Sequence, residues 1–240
     1  PTQHSVKSLL ESGVQPDILA LRTEHKLTED VKEKVALFCN ISPDAVIQAI
    51  DAETIYDVPL LMKKEQLDKV VLNKFGLEPK AEPSLDAWNG FLSKLKNPKH
   101  KITIGLVGKY IELKDSYKSI AEALIHAGAH NEIDVNIEWV HSESINENNA
   151  KKKLSNLHGI LVAPGFGERG IEGKITTVKY ARVNNVPFLG ICLGMQCAVI
   201  EFARNVLNIS DAHSSEMNEN TTNPVIYLME DQKDITNKGG

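Results

Sequence analysis

Apolar residues in the second half of the chain fall into short runs separated by helical patterns. The runs KITIGLVGKY, DVNIEWV, GILVAPGFG and VPFLGIC predict buried strands. Between them, SYKSIAEALIHAGA, KKKLSNL and GKITTVKYARVNN predict helices. Strands that alternate with helices are typical of βα units with right-handed crossovers, so this half is predicted to be an α/β domain with a doubly wound parallel sheet.

The first half of the chain alternates in the same way. VKSLLESG predicts a helix that Gly13 ends, PDILALR predicts the following strand, and Thr28 is placed to cap the helix EDVKEKVALF. A longer helical pattern, LLMKKEQLDKVVLNKFGL, precedes a Pro- and Lys-containing stretch that predicts a linker within Glu78–Lys101. We therefore assign residues 1–88 to a first domain with the start of the linker, and residues 89–240 to a second domain.

Composition narrows the classes of function. The 240 residues are 42% hydrophobic, which is enough apolar material for one large or two small cores. The net charge is −5 and no long basic block occurs, which argues against nucleic acid as a partner. No apolar run reaches the length of a membrane span, no signal peptide opens the chain, and the three cysteines lack zinc-like spacing. These features predict a cytoplasmic protein without a membrane partner.

Both ends of the sequence differ from those of a typical complete chain. It opens PTQHSVKSLL without a methionine, and it closes on ITNKGG without a further strand or helix. We therefore expect a piece of a longer protein.

One cysteine stands at the point where a predicted strand meets a predicted helix. Gly190-Ile191-Cys192-Leu193-Gly194 has the G-x-nucleophile-x-G form of a nucleophile elbow. Glycines are needed on both sides because a Cβ at either position would clash in so sharp a turn. The positive end of the following helix favours the thiolate, and the Leu193 N–H is placed to donate to an oxyanion. Cys39 and Cys197 lack flanking glycines, so we interpret them as buried packing residues.

The segments around this motif resemble a known family. PFLGICLGMQ is similar to the nucleophile segment of class I glutamine amidotransferases, and GFGERGIEGKI, LVGKYIELKDSYKSIAEAL and PTQHSVKSLLESGVQPDIL resemble the CTP synthase family in particular. The resemblance covers nearly the whole chain and is weaker at residues 77–99 and 142–156. It implies a flavodoxin-like amidotransferase domain, truncated at its C-terminus, after the tail of a Rossmann-like P-loop synthetase domain.

The resemblance implies a two-part reaction. The amidotransferase domain hydrolyses glutamine through a cysteine thioester. The synthetase domain uses ATP and Mg²⁺ to phosphorylate the 4-oxygen of UTP, and ammonia displaces that phosphate to give CTP. The family also implies GTP as an allosteric activator and a homo-oligomer, dimer or tetramer, of the full-length protein.

Functional residues can be carried over position by position. The family's nucleophile falls on Cys192, and its glutamine-binding residues fall on Gly165, Leu193, Gly194, Met195, Gln196 and Glu216. Residues that resemble the UTP- and CTP-binding positions are Thr2, Gln3 and Lys34. Those that resemble the ATP-binding positions are Arg22, Ile50, Asp51 and Ala52. We assign no metal ligand within the chain, because the family's Mg²⁺ ligands are expected before Pro1.

Three departures from the family pattern affect these assignments. The H-P-E segment that carries the family's catalytic His and Glu is expected beyond Gly240, so we expect the isolated chain to hydrolyse glutamine negligibly. Two H-x-E motifs, at residues 130–132 and 141–143, precede Cys192 and are interpreted as polar surface turns. Pro164 stands in place of a family glycine and removes one N–H, which leaves Gly165 or Phe166 to supply the second oxyanion donor. The third departure is the missing P-loop, which Gly105–Tyr110 cannot replace.

Two alternatives to a CTP synthase remain at this stage. One is a stand-alone flavodoxin-like cysteine hydrolase, and the other is a non-catalytic regulatory or assembly module. A local question also stays open: Arg169, in the glycine-containing loop GERGIEG, either meets an anionic effector or partner or belongs to a solvated turn.

Overall fold

The computed structural model describes residues 2–78, 81–227 and 229. Pro79 and Lys80 of the predicted linker, and the terminal segment ITNKGG, lie outside these described residues. The chain divides into two compact units, Pro1–Ser93 and Lys94–Gly240. This division falls within one helix, Asp86–Lys96, and the predicted boundary between residues 88 and 89 falls within the same helix.

The first unit is built on two parallel strands. Strands β1 (Leu19–Thr23) and β2 (Val46–Ile50) pair in parallel, as a βαβ connection requires. Buried Ala45, Ile47 and Val70 form the centre of the small core beside them. The helices of this unit are α1 (Thr2–Glu11), α2 (Glu29–Cys39), α3 (Val58–Lys64), α4 (Leu67–Lys74) and α5 (Asp86–Lys96). Thr28 stands at the N-cap of α2 as predicted, but its side chain makes no capping hydrogen bond.

The helical pattern after β2 is confirmed as helical, and it forms two helices, α3 and α4, with a break between them. Gln66, between α3 and α4, has a left-handed backbone with φ 57°. The Glu65 carboxylate beside this break accepts from Gln48 Nε2 at 2.7 Å and from Lys32 Nζ at 3.0 Å. Burial raises the pKa of Glu65, but these hydrogen bonds outweigh it and hold that pKa below its ordinary value. This ionic network with β2 and α2 fixes the end of α3, and periodicity alone does not encode it.

The second unit contains a four-stranded parallel sheet in the order β4-β3-β5-β6. Its strands are β3 (His100–Gly108), β4 (Ile133–His141), β5 (Gly159–Val162) and β6 (Phe188–Gly190). Along the chain β3 is the first strand of this unit. The next strand, β4, pairs with one edge of β3, whereas β5 and then β6 lie on its other side. This is the flavodoxin-like order, and the predicted α/β fold is confirmed. In such sheets ligands bind at the carboxyl ends of the strands, where the order reverses, which here is the junction of β3 and β5.

Helices and a short strand pair complete the second unit. Its helices are α6 (Lys118–His130), α7 (Ala150–Leu154), α8 (Ile171–Val183) and α9 (Leu193–Asn205), followed by β7 (His213–Ser214) and β8 (Pro224–Ile226). The main core includes residues from β3, β5, α8 and α9, among them Val107, Val162, Ile175 and Ile200. No helix in the described part of the chain is long and apolar enough to cross a membrane.

Helix α9 forms where apolar residues at i, i+3, i+4 and i+7 predict it, but most of these residues are exposed. They are Met195, Ala198, Val199, Phe202, Ala203 and Val206. Met195 and Phe202 are 50% and 48% exposed, whereas Leu193, Cys197 and Ile200 are buried against the sheet. Both faces of α9 carry apolar residues, so periodicity finds the helix without finding the face that packs on the sheet.

Candidate active site

Cys192 lies in the turn that joins β6 to α9. Its backbone has φ 52° and ψ −108°, a region that side chains other than glycine's rarely adopt. Strain of this kind costs on the order of 1–3 kcal/mol and persists where the surrounding structure fixes it. The side chain is exposed and stands at the N-cap position of α9. The thiol is therefore presented at the positive end of a helix.

The two glycines of the motif are sterically required. A Cβ on Gly190 would lie 2.5 Å from the Gly194 carbonyl carbon, and a Cβ on Gly194 would lie 2.1 Å from the Val162 carbonyl oxygen. Both obstacles are backbone atoms, which cannot rotate away as a side chain can. The sequence argument for a nucleophile elbow therefore has a physical counterpart in the close approach of β5, β6 and α9.

A second loop, Ala163–Gly167, follows β5 and lies against the elbow. A Cβ on Gly165 would lie 3.6 Å from Leu193 Cδ2, so this loop and the start of α9 are in contact. The N–H groups of Gly165 and Leu193 donate to no residue in the part of the chain that the structure describes. Pro164 has no N–H to offer. Two backbone donors are therefore available on neighbouring segments beside Cys192, as an oxyanion hole requires.

Two buried lysines lie under this loop, and the sequence analysis did not identify them. Lys174 is fully buried in α8, and its Nζ donates to the Ala163 carbonyl oxygen at 2.8 Å. Lys109 follows β3, is 6% exposed, and its Nζ donates to the Phe166 carbonyl oxygen. Burial lowers the pKa of Lys174; Cys197 and Cys192 oppose this shift, and the Lys109 ammonium adds to it. A sequence signal was present: Ile171, Lys174, Ile175 and Val178 share the apolar spacing of α8, so a charge occupies a core position.

Replacing Lys174 with methionine is expected to change how stability depends on pH. The lowered pKa means that the unfolded chain binds more protons than the folded chain up to the ordinary lysine value of about 10.4. The parent's free energy of unfolding, relative to that of Lys174→Met, should therefore rise as the pH increases toward that value. Urea unfolding from about pH 7 to about pH 10 measures this difference. A difference that is constant with pH would contradict the burial of a charged lysine.

The other two cysteines are unsuited to nucleophilic chemistry. Cys39 and Cys197 are both 0% exposed. Burial raises the pKa of Cys197 to about 11 and also raises that of Cys39. The structure places both where the sequence analysis expected packing residues.

The remaining residues predicted to bind glutamine lie in or near α9. Gly194 is buried, Gln196 is half-buried and Met195 is exposed in the first turns of this helix. Glu216 follows β7, its side chain is exposed, and its N–H donates to Ser214 Oγ at 3.2 Å. Its neighbour Met217 is buried in the core cluster that contains Leu193. An exposed carboxylate is thus held on a segment that packs along α9.

The predicted nucleotide-binding residues lie in the first unit and form two groups. At the carboxyl ends of β1 and β2, Arg22 Nε bonds Asp51 Oδ1 at 3.1 Å, and Ile50 and Ala52 flank that aspartate. Thr2 and Gln3 begin α1. Lys34 lies on α2, where its Nζ bonds Asp30 Oδ2 at 2.7 Å. The first group occupies the edge of a parallel sheet where nucleotides commonly bind.

The H-x-E motifs lie at the ends of elements and away from the elbow in sequence. His130 ends α6, and Glu132 behind it has φ 59° and pairs with Lys99 at 2.6 Å. His141 ends β4, and its Nδ1 accepts from the Glu143 N–H at 3.3 Å. The described residues contain no cluster of three or more His, Cys, Asp or Glu side chains that could hold a metal ion.

Arg169, in the loop between β5 and α8, is ion-paired. Its Nε lies 3.0 Å from Glu143 Oε1, and its guanidinium lies 5.9 Å from the centre of the Tyr110 ring. Its side chain is 57% exposed. Gly170 at the end of this loop and Gly173 in the first turn of α8 have no room for a Cβ beside Ser142. The loop is thus held against the turn after β4.

Two family models and a solved structure match this chain. The family model "Glutamine amidotransferase class-I" matches residues 112–236, more than half of the chain, and "CTP synthase N-terminus" matches residues 1–77. The glutaminase domain of Trypanosoma brucei CTPS, solved with bound acivicin, is 38% identical with a TM-score of 0.53; the match covers 57% of this chain and 52% of that chain.

CTP synthases are similar to this chain over its full length. Those of Flavobacterium psychrophilum, Cytophaga hutchinsonii and Methanocaldococcus jannaschii are 65%, 63% and 55% identical. Each match covers 100% of this chain but only 45%, 44% and 45% of the relative, so the chain spans less than half the length of these proteins. The predicted resemblance is confirmed, and the chain belongs to the class I glutamine amidotransferase family, with its first 77 residues matching the CTP synthase N-terminus.

Proposed function

We propose that this chain is part of a glutamine-dependent CTP synthase, in which Cys192 releases ammonia from glutamine for the amination of UTP. The observation that carries the proposal is the strained, exposed Cys192 at the N-terminus of α9. Beside it, on adjoining segments, the N–H groups of Gly165 and Leu193 have no acceptor among the residues that the structure describes. The match of residues 1–77 to the CTP synthase N-terminus disfavours a stand-alone hydrolase, which would leave those residues without a role.

The chemistry at the elbow follows from these groups. The Cys192 sulfur attacks the side-chain amide carbon of glutamine, and the carbonyl π electrons move to oxygen. The N–H groups of Gly165 and Leu193 stabilise that oxyanion. Collapse of the intermediate breaks the C–N bond and releases ammonia, and water then hydrolyses the thioester to glutamate. A general base takes the thiol proton and later protonates the leaving nitrogen, a role for which we propose the histidine of the family's H-P-E segment.

Glutamine carries both an α-ammonium and an α-carboxylate on its Cα, so its orientation requires protein groups of both charges near that carbon. The exposed carboxylate of Glu216 is suited to bind the α-ammonium group. The backbone of Gly194, Met195 and Gln196 lines the first turn of α9, where helix N–H groups favour negative charge. These assignments are part of the proposal.

The nucleotide chemistry is assigned to the first unit. Arg22 and Ile50–Ala52 are proposed to bind ATP, and Thr2, Gln3 and Lys34 are proposed to bind UTP or CTP. Bound ATP supplies the phosphoryl group that activates the 4-oxygen of UTP, with Mg²⁺ neutralising phosphate charge. The Arg22–Asp51 pair would open for Arg22 to meet a phosphate, which is a small change for a pair whose side chains are 86% and 47% exposed.

The proposal is tested by the nitrogen source. The full-length protein, supplied with UTP, ATP and Mg²⁺, should form CTP with either glutamine or ammonia, and glutamate should appear in step with CTP only in the first case. Nucleotides are separated by chromatography and glutamate is assayed enzymatically. An enzyme that forms no CTP when supplied with glutamine and none when supplied with ammonia would contradict the proposal.

Arg169→Ala is expected to impair glutamine-dependent CTP formation more than ammonia-dependent formation. Arg169 lies on the connection between β5 and α8, directly after the loop Ala163–Gly167 that carries the proposed oxyanion donor. We propose that the Arg169 guanidinium binds the anionic activator GTP. Both rates are measured with and without GTP. The matched control is Lys179→Ala, which removes a half-buried cation on α8 that pairs with Glu147. Equal losses with both nitrogen sources would show that Arg169 has no specific role in glutamine use.

Homo-oligomerisation and cytoplasmic location stay predictions.

A further inference from the structure

Lys174 is a buried charge that the proposed reaction does not use. It shares one face of α8 with Ile171, Ile175 and Val178, and it is fully enclosed. Burying an ammonium costs free energy, and an apolar side chain of similar volume often replaces such a charge at no loss of stability. Packing alone therefore does not explain a lysine at this core position.

The contacts of Lys174 point toward the glutamine site. Its Nζ donates to the Ala163 carbonyl oxygen at 2.8 Å and would lie 3.7 Å from a Cβ on Gly165. Lys109 reaches the same loop, since its Nζ donates to the Phe166 carbonyl and its Cε would lie 3.6 Å from that Cβ. Two buried ammonium groups, from α8 and from the end of β3, thus hold carbonyls on either side of Gly165.

This arrangement constrains the peptide units around Gly165. A peptide unit is planar, and the two held carbonyls belong to the Ala163–Pro164 and Phe166–Gly167 planes. The Pro164–Gly165 unit, which carries the Gly165 N–H, lies between these two planes, so holding both of them limits the directions that this N–H can take. Pro164 restricts φ within the loop and disfavours helical backbone at Ala163. The Gly165 N–H is left without an acceptor among the described residues, on a loop that contacts Leu193. A glycine loop would otherwise have many conformations in which this N–H points elsewhere.

We propose that Lys174 is a positioning residue of the glutamine site, which acts with Lys109 to hold the loop Ala163–Gly167 so that the Gly165 N–H meets the oxyanion formed by attack of Cys192. The inference rests on the proposed function. Lys174 acts through the Ala163 carbonyl and does not contact the reacting atoms. A role in the transition state predicts a loss in kcat for glutamine rather than in KM.

The test uses Lys174→Met in the full-length enzyme. A misplaced oxyanion donor costs on the order of 10²-fold in kcat, so glutamine hydrolysis should slow by about that factor while KM for glutamine changes by about twofold or less. CTP formation from ammonia should stay at the parent rate. Alkylation of Cys192 by iodoacetamide should also be unchanged, because displacement at a CH₂ group forms no oxyanion. A glutamine-mimicking chloroketone, which does form one, should react more slowly.

Two further variants separate positioning from a general effect on the fold. Lys179→Met removes a lysine from the same helix whose Nζ pairs with Glu147 at 2.9 Å on the surface, and it should keep all parent rates. Lys109→Met removes the second ammonium and should reproduce the selective loss of kcat. It also keeps the inference testable if Lys174→Met folds poorly.

The outcomes are distinguishable. A parent-like kcat for glutamine in Lys174→Met, or equal losses with glutamine and ammonia in both lysine variants, would overturn the inference and leave the proposed function intact. A parent enzyme that makes CTP from ammonia and never from glutamine would contradict the proposed function, and the inference with it.

Discussion

Replacing Cys192 with alanine in the full-length enzyme is expected to reduce glutamine-dependent CTP formation by roughly 10⁴-fold or more, while ammonia-dependent formation is retained. Removing the nucleophile from a unit that works with a base costs several powers of ten, because the remaining groups cannot form the covalent intermediate. Ammonia added directly bypasses the thioester, so the synthetase reaction needs no sulfur. Initial rates with each nitrogen source give both values.

The matched control is Cys197→Ala. Cys197 lies five residues further along α9 and is fully buried, with its pKa raised to about 11. Losing a small buried side chain should cost about 1 kcal/mol of stability and leave the ratio of the two rates unchanged. Glutamine-dependent activity that survives in Cys192→Ala would show that the elbow is not the site of hydrolysis.

Replacing Gly194 with alanine is expected to destabilise the second unit by about 3 kcal/mol and to abolish glutamine use. The added Cβ would lie 2.1 Å from the Val162 carbonyl oxygen, well inside van der Waals contact. The Val162 oxygen is a backbone atom and the new Cβ is bonded directly to the backbone of α9, so neither can rotate away. Helix α9 must therefore move away from β5, and Cys192 and Leu193 move with it. Urea unfolding measures the loss of stability, and the glutaminase assay measures the loss of function.

Gly90→Ala provides the control for this substitution. Gly90 also lies inside a helix, α5, but a Cβ there meets nothing within 4 Å. Alanine is favoured over glycine in helix interiors by about 1 kcal/mol, so this variant should be as stable as the parent or slightly more stable. Similar behaviour of the two variants would contradict the close approach of α9 to β5.

The elbow was predictable because its chemistry leaves a local trace in the sequence. Two glycines, a strand pattern before Cys192 and a helical pattern after it all lie within a short segment, and the structure supplies the steric reason for each glycine. The strands and helices of the second unit were predictable for the same reason, since βα units alternate along the chain.

Features that depend on distant contacts were not predictable from local patterns. The Ala163–Gly167 loop is held by Lys109, which follows β3, and by Lys174 of α8, and no local pattern assigns either lysine to this contact. The break at Gln66 accompanies an ionic network of Glu65 with another helix and a strand. The packing face of α9 is decided by the sheet behind it, because apolar residues occupy both of its faces.

The most direct test of Cys192 as the glutamine nucleophile is to map the adduct of a glutamine-mimicking chloroketone by peptide mass spectrometry. The folded protein should be modified at Cys192 alone, with excess glutamine slowing the reaction, since the other two thiols are buried and have raised pKa values. Cys39 and Cys197 should react only after unfolding in denaturant. Modification spread evenly over the three cysteines of the folded protein, or a rate at Cys192 that glutamine does not slow, would contradict this assignment.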